Sequence, residues 1–195
     1  MSETTHRQRM TRKKAVVDAA IARAEEDKGL LLVLTGNGKG KSSSAFGMVA
    51  RSLGHGQRVA VAQFLKSRRD TGEELFLGQH ADWRVLGDGF TWDTQDRRAD
   101  IASAQRGWQV AQGFLRDPGL HLVVLDELTY FLNYGYLEAA QVYADLAARP
   151  AMQHVVVTGR AAPEALCALA DTVSEINDVK HAFRAGIRAQ PGIDW

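Results

Sequence analysis

The chain has little cysteine, no long apolar run and almost no net charge. Cys167 is the single cysteine among 195 residues, which excludes an intrachain disulfide, and its apolar neighbours predict a small buried side chain. No apolar stretch approaches the roughly 20 residues that span a bilayer, and residues 1–6 lack the apolar core of a signal peptide. We therefore expect a cytoplasmic protein with no membrane partner.

The near-zero net charge of the chain bears on which partners it could attract. A formal net charge of +1 gives no electrostatic argument for a nucleic-acid partner. The composition, 45% hydrophobic and 24% charged, is ordinary for a globular domain, and the length suits one domain with a terminal appendage. We predict an N-terminal helical extension over residues 1–28 and a single domain over residues 29–195.

The extension has the period of an amphipathic helix over residues 6–28. Charged side chains cover most of it, and the apolar face consists of Val16, Val17, Ala20, Ile21 and Ala24. Three arrangements are open for this helix, namely packing on its own domain, a lid over the functional site, or a dimer contact.

From residue 29 onward, apolar runs alternate with helical patterns. The predicted strands are 30–34, 58–63, 83–86, 121–125 and 154–158, and the predicted helices are 42–53, 100–116, 137–148 and 163–170. Nearly continuous apolar runs suit strands that are covered on both faces. The alternation predicts an α/β fold in three layers, P-loop NTPase-like (RecA-like), with a mainly parallel sheet and a ligand at the carboxyl ends of its strands.

A glycine-rich segment, Thr-Gly-Asn-Gly-Lys-Gly-Lys-Ser over residues 35–42, follows the first predicted strand. Its glycines can take positive φ, so that successive NH groups face one anion, and the helix that begins near Lys41 adds unpaired NH groups. Lys41 supplies a charge to the phosphates, and the Ser42 hydroxyl can ligate Mg²⁺. The predicted nucleotide contacts are Gly36, Asn37, Gly38, Lys39, Gly40, Lys41, Ser42 and Ser43. Thr35 stands where the standard motif has glycine, so this is a variant phosphate loop.

The fourth predicted strand ends in two carboxylates, Asp126 and Glu127. In phosphate-loop proteins a strand of this kind lies in the same sheet as the first, so both side chains emerge near the metal. Oxygen ligands suit Mg²⁺, and we predict Ser42, Asp126 and Glu127 as its protein ligands. The alternative is a carboxylate that caps a helix.

These two motifs leave kinases, ATP-driven motors, GTP switches and nucleoside transferases open. A guanine-reading Asn-Lys-x-Asp motif is absent, and 195 residues leave little room for a motor's recognition domain. No pairing of nucleophile and base is compelling. A small-molecule transferase is favoured by elimination.

Several segments together resemble the phosphate-loop type of ATP:corrinoid adenosyltransferase, and the resemblance covers nearly the whole chain. The segments are 36–42, Val61-Ala-Gln-Phe-Leu-Lys66, Gly89-Phe-Thr-Trp-Asp-Thr-Gln95, Val124-Leu-Asp-Glu-Leu-Thr-Tyr130, Val179-Lys-His-Ala-Phe183 and Gly192-Ile-Asp194. The segment 89–95 is far more specific than the phosphate loop. The loop after the second strand departs from the family pattern, because Ser67 stands where a glycine is expected.

The resemblance implies transfer of the 5′-deoxyadenosyl group of ATP to the cobalt of a reduced corrinoid, with release of triphosphate. It implies ATP, Mg²⁺ and a corrinoid as ligands, an electron-donating reductase or flavoprotein as partner, and a homodimer. Lys41 would hold the leaving group, and Glu127 would lie near the ribose or the metal. A small-molecule kinase and a non-catalytic protein that binds corrinoid and nucleotide are the alternatives.

The resemblance also gives roles to two aromatic residues. Phe90 and Trp92 would approach the lower face of the corrin and exclude its axial ligand; the alternative is that they are ordinary core aromatics. Arg160 is either a further substrate contact or a solvated arginine. His181 has no partners at metal-ligand spacing, so a zinc site is not predicted.

Overall fold

A central sheet carries helices on both faces. The computed structural model describes residues 3–65, 70–87 and 96–195. The strands are β1 (Leu31–Thr35), β2 (Val59–Gln63), β3 (Asp82–Val85), β4 (Leu122–Asp126), β5 (His154–Thr158) and β6 (Thr172–Glu175). The helices are α1 (Glu3–Ile21), α2 (Lys41–Gly54), α3 (Gly72–Leu77), α4 (Arg97–Arg116), α5 (Leu128–Asn133), α6 (Ala139–Ala147) and α7 (Glu164–Leu169), with a 3₁₀ turn at Ala182–Ala185.

The six strands lie in the order β3-β2-β4-β5-β1-β6, and every pairing among them is parallel. Strand β5 therefore separates β1, which precedes the phosphate loop, from β4, which precedes Glu127. Because the strands are parallel, all of their carboxyl ends meet at one edge of the sheet. The loops that follow β1, β4 and β5 are brought together there, as the sequence predicts, and the loop after β6 joins them.

Alternate side chains of each strand enter two separate cores. One face of the sheet, with Val33, Val123 and Val155, is covered by α4 to α7, and Trp108 and Leu146 pack into this core. The other face is covered by α2 and α3. Its core contains Leu34, Val124 and Val156 from the strands and Phe46, Val49 and Leu77 from the helices. Two-sided burial explains why these strands are apolar throughout and confirms the three-layer α/β prediction.

The predicted elements agree with the structure to within a few residues, with some exceptions. Short helices α3 and α5 and the edge strand β6 were not predicted. Strand β6 has the sequence Thr-Val-Ser-Glu and is exposed along its length, so it lacks the apolar run that marks the other strands. Cys167 was predicted to be buried but is only partly so, because it packs on the edge of the first core.

Helix α1 is shorter than predicted, ending at Ile21 where the sequence pattern continues to residue 28. Its described side chains are all exposed, and Val16, Val17 and Ile21 are 64%, 47% and 67% accessible. Packing of this helix on its own domain is therefore not what the structure shows. A lid and a dimer contact stay predictions. Within the described ranges, no helix combines the length and apolar character needed to cross a membrane.

Candidate active site

The phosphate loop is shaped by two different uses of glycine. Gly36 and Gly40 have φ values of 100° and 124°, a backbone conformation that favours glycine. Gly38 was expected to share this property, but it is not among the residues with positive φ. Its NH donates to the Ile176 carbonyl at 2.7 Å, and a Cβ there would lie 2.6 Å from the Asn177 carbonyl oxygen. Gly38 is required because the segment after β6 lies against the loop.

Thr35, the departure from the standard motif, joins the phosphate loop to the loop after β5. Its hydroxyl accepts a hydrogen bond from the Ala162 NH at 3.1 Å. The second loop is itself fixed at Gly159, whose φ is 142° and where a Cβ would lie 2.0 Å from Thr129 Oγ1. The Thr129 hydroxyl donates to the Arg160 carbonyl at 2.8 Å. These bonds hold the backbone that presents the Arg160 side chain to the site.

Lys41 is the charged group at the centre of the loop. It is the first residue of α2 and only 7% exposed, and its ammonium donates to the Gly38 carbonyl at 2.8 Å. Burial lowers the pKa of Lys41 below its usual value, and the nearby Glu127 carboxylate opposes that shift. An anion bound between the loop NH groups would stabilise the charged form in the same way.

The two carboxylates at the end of β4 have different surroundings. Asp126 is fully buried, and it accepts hydrogen bonds from the Gln63 amide at 3.1 Å and from the Thr158 hydroxyl at 2.7 Å. Glu127 has a left-handed φ of 61°, and its NH donates to the Thr158 hydroxyl oxygen at 2.9 Å. Thr158 thus links Asp126 to the backbone of Glu127. Such a strained conformation in a residue other than glycine is commonly found at functional sites.

A cavity at the carboxyl edge of the sheet brings most of the predicted site residues together. It is lined by Asn37, Gly38, Lys39, Gly40, Lys41, Ser42, Ser43, Glu73, Glu127, Arg160, His181, Ile193 and Asp194. Glu127 is among these residues and Asp126 is not, because the Asp126 side chain is enclosed behind the site; its role as a metal ligand stays a prediction. Arg160 faces the cavity.

Some lining residues were given no role in the sequence analysis. Glu73 belongs to the first turn of α3, and its Oε2 is shielded from solvent without a hydrogen-bond partner among the described residues. Asp194 pairs with Lys39, with 2.7 Å between Oδ1 and Nζ. His181 lines the cavity while its Nδ1 accepts from the Phe183 NH at 3.2 Å, which caps the 3₁₀ turn. Glu73 belongs to no motif, and only the fold brings it here. His181 lies in the segment 179–183 that resembles the family, but no role in the site was predicted for it.

The oxygen donors of this cavity fit Mg²⁺. Ser42 and Glu127 supply a hydroxyl and a carboxylate, the hard ligands that Mg²⁺ prefers, and this ion keeps several waters when bound. Among residues 3–65, 70–87 and 96–195, no group of three or more His, Cys, Asp or Glu side chains is placed to hold a metal. A cation here would therefore rely on few protein ligands, with water and phosphate oxygens completing its shell.

Two predicted parts of the site lie outside the described residues. Phe90 and Trp92 belong to residues 88–95, and the loop after β2, in which Ser67 departs from the family pattern, falls on residues 66–69. Their assignments stay predictions.

Comparison with known proteins places this site in a family. Residues 27–195 match the family model "ATP:corrinoid adenosyltransferase BtuR/CobO/CobP", and residues 1–21 match "Cob(I)alamin adenosyltransferase N terminal". The chain belongs to the ATP:corrinoid adenosyltransferase family. This confirms the resemblance found in the sequence segments.

Corrinoid adenosyltransferases of three bacteria are similar to this chain over nearly its full length. The Pseudomonas aeruginosa protein is 58% identical, with 97% of this chain and 95% of that protein covered. Corrinoid adenosyltransferase CobA of Salmonella typhimurium is 48% identical, and the Escherichia coli protein is 46% identical, each with 100% of both chains covered.

Among solved structures, domain III of the Thermotoga maritima replication initiation protein DnaA covers 81% of this chain at 9% identity, with a TM-score of 0.40, a likeness too weak to argue from. The activity is instead inferred from membership of the family. This corrinoid adenosyltransferase is a transferase of cobalamin biosynthesis that moves the adenosyl group from ATP to a corrinoid. The kinase and the non-catalytic binding protein are not favoured.

Proposed function

We propose that the enzyme transfers the 5′-deoxyadenosyl group of ATP to the cobalt of a reduced corrinoid and releases the whole triphosphate. The observation that carries this proposal is a phosphate cavity lined by Lys41, Ser42 and Glu127 in a chain of this family. The cavity holds charge and hydrogen-bond donors suited to a triphosphate, which is the group that departs in this reaction.

The chemistry requires alignment more than proton transfer. Cobalt in the Co(I) state is a nucleophile, and its electron pair forms the bond to C5′ of the ribose. The bond from C5′ to the phosphate oxygen breaks, and the triphosphate leaves with that electron pair. No protein base is needed, so the enzyme acts by positioning C5′ near cobalt and by stabilising the charge that develops on the leaving group.

We assign that stabilisation to the phosphate loop. The cavity where charge develops is lined by residues 37–43, which include Lys41 and the first turn of α2, and by Arg160. The NH groups of a helix's first turn have no partner within the helix, so they can donate to a bound anion. The lining residues are fixed before substrate binds, because Gly38 is held by Ile176, Lys41 by the Gly38 carbonyl, and the backbone of Arg160 by Thr129. Preorganised donors of this kind need no rearrangement during the reaction.

We further propose Mg²⁺, held by Ser42 and Glu127, as the ion that accompanies the triphosphate. When bound, Mg²⁺ neutralises charge on the phosphate oxygens. A homodimer, an electron-donating reductase or flavoprotein, and a cytoplasmic location complete the proposal. The domain division at residues 28 and 29 belongs to it as well, supported by the separate matches to residues 1–21 and 27–195.

Product analysis tests the reaction. Purified protein incubated anaerobically with ATP, Mg²⁺ and chemically reduced cobalamin should give the spectrum of a light-sensitive adenosylated corrinoid and one equivalent of inorganic triphosphate. ADP as the phosphate product would contradict the proposal and favour a kinase. Binding of both substrates without turnover would instead indicate a delivery protein.

The aromatic residues Phe90 and Trp92 are proposed to face the corrin and displace its lower axial ligand. Loss of that ligand makes Co(II) easier to reduce. Alanine at either position should therefore slow the reaction from Co(II) much more than the reaction from Co(I) prepared in advance. Equal losses in both assays would show that these residues act as core aromatics.

A further inference from the structure

Lys39 and Asp194 form an ion pair at the boundary between two cavities. Both residues line the phosphate cavity, and both line a second cavity that contains Lys180, Phe183, Ile187 and others of the segment after β6. The two side chains are 44% and 26% exposed, so the pair lies at the rim of the site. The ion pair, together with His181 and Ile193, therefore forms the wall that the two cavities share.

Asp194 belongs to a short folded segment, residues 190–195. Its Oδ2 accepts a hydrogen bond from the Gln190 NH at 2.9 Å, and the Gly192 NH donates to the Trp195 carbonyl at 2.8 Å. The Trp195 carbonyl lies near the start of α3, 4.0 Å from the position of a Cβ at Gly72. The segment thus reaches from the phosphate loop toward the helix that carries Glu73.

The ionised form of Asp194 is favoured in this setting. The hydrogen bond from Lys39 lowers the pKa of Asp194, and the bond from the Gln190 NH acts in the same direction. At neutral pH the pair therefore consists of two full charges.

We propose that Asp194 is a positioning residue of the triphosphate site, which holds segment 190–195 against Lys39 so that the segment closes one side of the phosphate cavity. This role rests on the proposed function, because the ligand retained by the closed wall is the triphosphate. Asp194 does not contact the reacting atoms, and it acts through Lys39.

The direction in which a substitution at Asp194 changes triphosphate affinity distinguishes this role from a purely electrostatic effect. Asp194 adds a negative charge near a site for a highly charged anion, so as an isolated charge it would weaken triphosphate binding. Removing the charge would then tighten binding. If Asp194 acts by holding the wall in place, removing the charge weakens binding instead.

The test is calorimetric binding of inorganic triphosphate, with Mg²⁺ present, to the full-length protein and its Asp194→Asn variant. Asparagine keeps an oxygen that can accept from Gln190 and loses only the charge. We expect binding to weaken by up to about fivefold, the factor that corresponds to the upper range for an exposed ion pair. Hydrogen exchange of the amides in residues 190–195 should become faster, and Asp194→Glu should restore part of the affinity.

Asp82→Asn is the matched control. Asp82 pairs with Arg84 on the edge strand β3, where it is 45% exposed against 26% for Asp194, and its substitution makes the same change in net charge. Asp194→Asn should also have no further effect once Lys39 is alanine, because coupled residues are not additive. Unchanged or tighter triphosphate binding by Asp194→Asn would overturn the inference. Failure of the unmodified protein to bind triphosphate would overturn the phosphate site and this inference with it.

Discussion

Buried or half-buried polar side chains occur at both edges of the sheet, but their hydrogen-bond partners differ. At the amino edge, Arg149 donates to the carbonyls of Leu146, Gln153 and Gly29, and each donor satisfies a backbone group. At the carboxyl edge, Lys41 and Glu127 face a cavity. Similar side chains thus complete the fold at one edge and leave capacity for a ligand at the other.

Backbone conformation differs in the same way. Both residues other than glycine with positive φ among the described ranges, Glu127 and Ala161, follow β4 and β5 at the carboxyl edge. Among the described residues, no residue other than glycine has a positive φ near Arg149. Strain is therefore concentrated where the ligand is proposed to bind, in agreement with the general location of strained residues at functional sites. Four substitutions test this contrast.

The largest effect is expected at the carboxyl edge, from Lys41→Ala. The substitution removes the buried charge that faces the triphosphate, so turnover should fall at least about a hundredfold, the size of effect seen when one electrostatic stabiliser is lost. Direct titration with inorganic triphosphate should show a parallel loss of affinity. The melting temperature should change little, because the ammonium donates to a carbonyl of its own loop and, among the described residues, makes no hydrogen bond to a distant element. Full affinity for triphosphate in this variant would remove Lys41 from the site.

Arg149→Ala, at the amino edge, should lower stability and leave turnover unchanged. Three carbonyl groups lose a charged donor, so we expect the free energy of unfolding to fall by about 2 to 4 kcal/mol. Turnover measured well below the melting temperature should be unchanged. Denaturant unfolding gives the stability, and Arg149→Lys, which keeps the charge but lacks the planar set of donors, should recover only part of it. A variant as stable as the parent would contradict the structural role.

Thr158→Val tests the connection behind the site. It removes the hydroxyl that donates to Asp126 and accepts from the Glu127 NH, while keeping the shape of the side chain. We expect a loss of about 1 to 3 kcal/mol in stability, since buried polar groups become unpaired, together with slower turnover. Thr158→Ser is the matched control and should retain both. Slower turnover without any loss of stability would mean that Asp126 is more than a support.

Asp171→Asn should have the smallest effect. Asp171 accepts from the Leu31 NH at 2.8 Å and pairs with Lys28, and these contacts, led by the hydrogen bond from Lys28, lower its pKa below 3.8. Its native carboxylate therefore stabilises the fold above the unfolded pKa, and this contribution is lost as pH falls through the lower native value. We expect about 1 kcal/mol or less at pH 7. Unfolding curves of parent and variant should converge in acid; a constant difference would exclude the ionised carboxylate as the cause.

The sequence predicts much of the fold because apolar runs report burial on two faces. Strands β1, β2, β4 and β5 are each covered on both sides and were predicted within about a residue of their true limits. Strand β6 has no such cover and no such signal. Helices α3 and α5 are too short to show a clear helical period.

The candidate site also contains some residues that the sequence predicts and others whose surroundings only the packing shows. A phosphate loop is a local motif, so residues 36–43 and Glu127 were predicted from the sequence, and the structure places residues 37–43 and Glu127 on one cavity. Asp126 follows the same strand, yet only the packing of Gln63 and Thr158 around it shows that its carboxylate is enclosed.

The amino acid order is enough to establish the family, the parallel α/β architecture and the chemistry of the phosphate loop, because these depend on local spacing and on apolar periodicity. Tertiary structure alone decides which distant groups join the site. Glu73, Arg160 and Asp194 come from segments far apart in the chain, and they meet the phosphate loop because parallel strands bring all of their carboxyl ends to one edge.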